Sequence, residues 1–174
     1  MLVFVAPAVY PNNQNPSAGI FIFNRYKEIT KFKHKIVILD ASAYRFNNWL
    51  QDECRHIIRT NDEVGDIYSL HVKGFMTSRF PQIAVRSYKK NLEKLYNEAI
   101  KKHGKPDILV AHFCLPSGFT ALELGQKEGL PVVIVEHHHL MCNENIHPYI
   151  KNNLKKTVIS ANAFVCGSNY LRQM

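Results

Sequence analysis

The chain has 174 residues, and Lys and Arg outnumber Asp and Glu by 22 to 14, for a formal net charge of +8. That length suffices for the core of one domain, and that charge admits nucleic acid, an anionic membrane surface or phosphate-bearing small molecules as partners. The basic residues are scattered, from Lys27, Lys31, Lys33 and Lys35 through Arg86, Lys89, Lys90 and Lys94 to Lys151, Lys155 and Lys156, with no RNA-binding aromatic signature beside them, which argues against nucleic acid.

Leu2 to Ala8 is a continuous apolar run, the pattern of a strand buried on both faces. It lacks the basic start and small-residue cleavage site of a secretory leader, so it reads as a first core strand. "YPNNQNPSAG" follows as a loop, and Ile22, Tyr26 and Ile29 recur at helical spacing, predicting a helix from about Gly19 to Lys31. "KIVILDA" is the second strand, ending near Asp40. Residues 41 to 80 are less regular: "WLQDECRHIIRT" fits a helix or a loop excursion, and "DIYSLHVKG" a strand between turn signals. From about Gln82 to His103, Tyr88, Leu92, Leu95, Tyr96 and Ala99 form one face of a helix that Gly104 and Pro106 end. "PDILVAHF" is a strand. Pro116 stands where a first helical residue would, ahead of "SGFTALELGQKE", and Gly129-Leu130-Pro131 closes that helix. "VVIVEH" is another strand, Ile146, Ile150 and Leu154 predict a helix to about Ser160, and "AFVCG" is the last strand. Ser168 is placed to cap a helix opening "NYLRQM".

This alternation predicts an α/β domain, a Rossmann-like, doubly wound, mostly parallel sheet with helices on both faces. Ligands of such sheets lie beyond the carboxyl ends of the strands. Three places are thereby singled out: the loop after strand one, His112 after "ILVA", and Glu136-His137 after "VVIV". No apolar run approaches the length of a membrane span. The four cysteines, Cys54, Cys114, Cys142 and Cys166, form no CxxC pair, so reduced thiols and a cytoplasmic location are expected. The last helix, hardly begun, predicts a larger protein of which this is the first domain.

Gly19 is the only glycine before Gly65, so the GxGxxG fingerprint is absent, as is a GKS/GKT phosphate loop; NAD chemistry and P-loop hydrolysis are disfavoured. Gly19 enters a helix, where backbone N–H groups face an anion or where the turn simply needs a glycine. His112 is either a core histidine with a backbone partner or a ligand-contacting group at the sheet edge. His137, His138 and His139 invite a zinc reading, but zinc needs three or four converging ligands, neighbouring residues leaving a strand point alternately, and the spacing is not HExxH. No metal is expected, and a metal-dependent hydrolase is disfavoured. What remains is an imidazole contacting substrate or phosphate, or a polar turn without chemistry. Ser117 lies in no GxSxG elbow. Asp40 stands where a Rossmann enzyme holds a ribose, and without the fingerprint it reads as a turn aspartate.

Four segments in order, "VAPAVYPNNQNPSAGIFIFNR", "PDILVAHFCLPSG", "LPVVIVEHH" and "AFVCGSNYL", resemble the N-terminal half of family-four glycosyltransferases, retaining enzymes of GT-B fold. The resemblance runs from Val5 to Leu171 and is weakest from about Ala43 to Pro81. It implies two Rossmann-like domains across a cleft. The first, here 1–174, mainly holds the acceptor; the second, absent from this chain, binds a nucleotide-sugar donor. It further implies retaining transfer of a sugar to a glycan or lipid-linked acceptor, in cell-surface polysaccharide (capsule) or glycolipid synthesis, with no cofactor beyond the donor substrate, and a fragment inactive alone. By position, Gly19 matches the loop glycine near the donor, His137 the histidine contacting the donor sugar, Glu136 the residue orienting it, and His112 the histidine after the fourth strand. Ser17, Ser117, Gly118 and His138 join the donor- or acceptor-binding set. The triple histidine departs from the family, which more often follows the first with a small residue. A basic face near Lys89 or Lys151 is either a solvated helix face or one that rests on anionic lipid at the inner membrane surface, near a lipid-linked acceptor. The alternative is a non-enzymatic α/β ligand-binding or regulatory domain.

Overall fold

The apolar run that opens the chain becomes the middle of a seven-stranded sheet. The computed structural model describes residues 1–13, 15–44, 56–73, 80–137 and 146–168; His138, His139, Cys54, Cys142 and the helix expected from "NYLRQM" lie outside them. The strands are β1 (Leu2–Pro7), β2 (Lys35–Asp40), β3 (Ala43–Tyr44), β4 (Ile58–Asn61), β5 (Gly65–Ser69), β6 (Val72–Lys73), β7 (Ile108–His112), β8 (Val132–Glu136) and β9 (Ala163–Cys166). The helices are α1 (Ile20–Thr30), α2 (Pro81–His103), α3 (Phe119–Glu128) and α4 (Pro148–Ser160). The main sheet runs β4-β5-β2-β1-β7-β8-β9, and β3 pairs with β6 in a separate two-stranded ribbon. Every neighbouring pair in the main sheet is parallel except β4 with β5.

Alternation along β1 and β2 divides the core in two. Phe4, Val37 and Leu39 point to one face, against Leu92, Leu95 and Tyr96 of α2 and Ala121 and Leu124 of α3. Val3, Val5, Ile36 and Ile38 point to the other, against Ile22 and Tyr26 of α1. Helices therefore cover both faces, as the doubly wound reading requires. The strand order reverses at β1: β2 follows on one side and β7 pairs on the other, with Pro7 beside His112. A crevice for ligands opens at such a switch.

Three local expectations change. "WLQDECRHIIRT" does not end in a helix, because Ile58–Asn61 forms the antiparallel edge strand β4. The stretch "DIYSLHVKG" is divided, β5 ending at Ser69 and β6 taking Val72–Lys73 into the small ribbon. Pro116 does not begin a helix. It follows a cis peptide in an irregular turn, Cys114–Gly118, in which Leu115 is extended, and α3 starts at Phe119.

Gly19 precedes α1 with φ 66°, and a Cβ there would lie 2.5 Å from the carbonyl oxygen of Val9. Both the left-handed backbone and the close approach call for glycine. Gly19→Ala is expected to cost about 2 kcal/mol or more, read from the urea midpoint.

Candidate functional site

The carboxyl ends of β7 and β8 lie side by side, and each ends in a polar residue after a buried run. His112 closes β7 and is fully buried; Glu136 closes β8 and is 3% exposed. The Glu136 carboxylate accepts two backbone hydrogen bonds: Oε2 from the N–H of Cys114 at 2.7 Å and Oε1 from the N–H of His137 at 2.8 Å. It thus binds the turn after β7 to the turn after β8. Beside it, the Cys114 thiol is pushed well above the ordinary thiol range, first by burial and then by its hydrogen bond to Glu136, which leaves it protonated and inert.

His137 follows Glu136, half-buried, and its Nε2 lies 2.8 Å from Nδ1 of His112. The rings are parallel within 6° with centroids 5.1 Å apart. That separation matches two imidazoles joined nitrogen to nitrogen in a common plane, not stacked face to face. On its far side, His112 Nε2 lies 2.9 Å from the Tyr26 hydroxyl. The buried hydroxyl has no other partner among the described residues, so it donates to His112 Nε2. His112 then donates from Nδ1 to His137 Nε2, and His137 carries its hydrogen on Nδ1, outward from the chain of bonds.

Two phenylalanines hold His137 in place. Phe21, in the first turn of α1, has its ring centroid 4.7 Å away at 61°, and Phe113 lies 5.3 Å away at 60°. Phe113 reaches this position with φ 73°, a strained backbone for a bulky residue; its N–H bonds the carbonyl of Val135 at 2.9 Å. One turn beyond Phe21, exposed Arg25 makes no ion pair among the described residues, and its charge acts on both imidazoles and on Tyr26. Through Phe21 and Arg25 the amino end of α1, opened by Gly19, is brought to the histidine pair.

Burial, His137 and Arg25 together hold the His112 imidazole down to about 3, and burial and Arg25 lower His137. Tyr26 is raised by burial. The chain is therefore neutral at physiological pH.

The remaining expected residues are placed differently. Ser117 is fully buried, and its hydroxyl donates to the Ala6 carbonyl beneath the end of β1. Gly118 is buried in the same turn, where a Cβ would meet the Phe113 carbonyl oxygen at 2.9 Å and Ile134 at 3.2 Å. These two shape the floor of the site. Ser17 is exposed and turns its hydroxyl to Asn15 at 3.0 Å. Three residues escape the sequence reading: Tyr26, whose spacing with Ile22 and Ile29 marks it as core, and Phe21 and Arg25, which stand four apart on one side of α1. A hydroxyl on an otherwise apolar helix stripe was the available signal. Across the sheet, an apolar cavity of about 390 Å³ lies between the start of α2, the Cys114–Gly118 turn and Ile150 of α4.

The sequence model of Glycosyltransferase Family 4 matches residues 18–174. No curated protein matches the chain. Among solved structures, Arabidopsis thaliana UGT89C1 complexed with UDP superposes with a TM-score of 0.51 at 10% identity, covering 97% of this chain and 42% of that one. The same enzyme complexed with UDP-L-rhamnose gives 0.51 at 11% identity, covering 97% and 45%. At these identities the likeness is one of fold, and the chain spans less than half the length of either structure.

The neutrality of His112 has a measurable consequence. In the unfolded chain it takes a proton below about pH 6.5, but in the folded protein only near pH 3. Its contribution is therefore complete above pH 6.5 and is lost as pH falls, at about 1.4 kcal/mol per pH unit. Unfolding free energy should drop by about 2 kcal/mol from this residue between pH 7 and pH 5, with His137 adding in the same direction. In His112→Gln, urea titrations at the two pH values should show a clearly smaller drop.

Proposed function

We propose, from the premise that this chain belongs to Glycosyltransferase Family 4, that it is the acceptor-side half of a transferase that moves a sugar, with retention, from a nucleotide-sugar donor to a glycan or lipid-linked acceptor. The observation that carries the reading is the hydrogen-bonded line Tyr26–His112–His137, ending at the strand-order switch beside the amino end of α1.

Departure of a nucleoside diphosphate from a sugar leaves positive charge on the ring and negative charge on the phosphates. A neutral imidazole suits the first region. His137 presents an N–H to a sugar hydroxyl and brings no fixed positive charge to the developing cation. The amino end of α1 and the Arg25 guanidinium suit the second, where preorganised N–H groups and a cation favour the leaving diphosphate. Glu136 acts as a positioning residue, since both its oxygens are bonded to backbone. That UGT89C1 was solved with UDP and with UDP-L-rhamnose supports a donor of this class. The apolar cavity near the start of α2 supports an acceptor with a lipid portion. Among the described residues no helix is long and apolar enough to cross a membrane. The proposed lipid contact is made by the basic residues of α2 and α4 on a cytoplasmic membrane face. A role in capsule or other surface polysaccharide synthesis belongs to the same proposal, as does a second, donor-binding domain elsewhere in the protein.

Full-length protein incubated with a panel of nucleotide sugars and an acceptor extract should consume one donor. His137→Ala should lower that turnover about a hundredfold or more while the protein keeps its circular dichroism spectrum. Proton NMR of the product should show the donor's own anomeric configuration. Unchanged turnover in His137→Ala removes this residue from the site, and an inverted product overturns retention.

A further inference from the structure

A third strand ends beside β7 and β8. In β9, Cys166 stands opposite Glu136, and one residue on, the N–H of Gly167 donates to the Glu136 carbonyl at 3.0 Å. Gly167 therefore lies alongside His137, exposed at the carboxyl edge of the sheet.

The fold itself does not require a glycine there. Every other described glycine either takes a positive φ or would bring a Cβ within 3.0 Å of a neighbour. Gly167 does neither. A Cβ on it would lie 3.2 Å from the Glu136 carbonyl oxygen, a contact that a shift of a few tenths of an ångström relieves. Glycine costs backbone entropy at a strand end, and a glycine without a conformational reason marks a close approach by backbone or ligand.

The missing side chain leaves one atom open. The same Cβ would lie 3.6 Å from Nδ1 of His137 and 4.0 Å from its Cα, so Nδ1 is the part of the imidazole it would meet first. Nε2 of that ring is committed to His112 at 2.8 Å. In either tautomer, a hydrogen bond between this ring and a ligand runs through Nδ1. A hydroxyl oxygen bonded to Nδ1 sits about 2.9 Å away, nearer than the Cβ position beside it. Phe21 and Phe113 take other flanks of the ring, with centroids at 4.7 and 5.3 Å.

We propose that Gly167 controls access to His137: its bare backbone leaves the gap through which a sugar hydroxyl reaches Nδ1, and a side chain there closes it. The residue contacts no reacting atom and sets specificity by the room it leaves. The inference rests on the reading of His137 as a sugar-contacting residue of a transferase.

The test is nitrogen NMR of full-length protein carrying isotope-labelled histidine, with the His137 ring signals assigned by their loss in His137→Gln. UDP-glucose, UDP-galactose, UDP-N-acetylglucosamine, UDP-L-rhamnose and GDP-mannose are added in turn, and consumption of each is followed with an acceptor extract. At least one should move the Nδ1 resonance of the wild-type protein. Gly167→Val should leave that resonance unmoved and lower turnover about a hundredfold, and Gly167→Ala should lower it about tenfold. Both variants should keep the wild-type melting temperature; if Gly167→Val melts early, the resonance comparison is made with Gly167→Ala. The proposal is overturned by wild-type turnover in the folded variants, by an Nδ1 resonance that moves alike in wild type and variant, or by one that no nucleotide sugar moves. A resonance that responds in the wild type and not in the variant, with no donor consumed, overturns the transferase reading alone.

Discussion

The two hydrogen bonds accepted by the Glu136 carboxylate hold the edge of the sheet together. A carboxylate 3% exposed is costly to bury, and it is tolerated here because each oxygen is met by a backbone N–H, a charge-assisted arrangement stronger than neutral pairs. The two donors belong to different turns, one after β7 and one after β8. Parallel pairing of these strands stops at His112 opposite Val135, and beyond that point the Glu136 side chain takes over as the link. Everything that follows depends on it. His137 is oriented through its own N–H, and the Cys114–Gly118 turn is anchored at its first residue. From that turn, Ser117 reaches the carbonyl of Ala6, while Tyr88 of α2 reaches the carbonyl of Pro7 at 2.8 Å. The end of β1 is thereby held from below by two side chains while its far side faces the ligand edge.

The Tyr26–His112–His137 line ties three elements in the other direction, from α1 through β7 to the turn after β8. Its polarity matters as much as its geometry. With the tyrosine donating, each imidazole accepts on one nitrogen and donates from the other. A proton added at His137 would need the whole line to reverse, leaving the buried hydroxyl without an acceptor. Desolvation and the nearby guanidinium of Arg25 oppose protonation in the same sense. A histidine kept neutral in this way differs from one poised to titrate near neutrality: it is a fixed hydrogen-bond donor, as the proposed transfer chemistry requires.

Much of the scaffold was legible because parallel strands covered on both faces read as unbroken apolar runs, and β1, β2, β7 and β8 are such runs. The position of His112, Glu136 and His137 at the carboxyl edge of the sheet followed from the strands alone. The connections between them were not legible. Tyr26 shares helical spacing with Ile22 and Ile29, and periodicity cannot tell a packed phenol from one whose hydroxyl bonds a strand 86 residues later. Ser117 was open to a binding role because its partner, the Ala6 carbonyl, lies 111 residues earlier. Pro116 fitted a helix start by composition, but Cys114 is committed to Glu136 and Phe113 to a left-handed backbone, so the chain cannot enter α3 until Phe119. Edge strand β4 was missed because only Ile58 among its residues is even partly buried, and pairing with β5, not an apolar pattern, makes it a strand.

One loop joins the two halves of the sheet's carboxyl edge. Between Ala8 and Gly19 the chain leaves β1 at the strand-order switch, and what lies on either side of it differs in chemistry. Toward β7 and β8 stand neutral imidazoles, aromatic rings, the amino end of α1 and the guanidinium of Arg25, which makes no ion pair among the described residues. Toward β2 and β5 stand the carboxylates of Asp40 and Asp62, the amides of Asn12 and Asn61 and the aliphatic side chains of Ile58 and Ile67. Gly19 fixes the join of that loop to α1: its backbone takes no side chain against Val9, and the helix it opens carries Phe21 to the His137 ring.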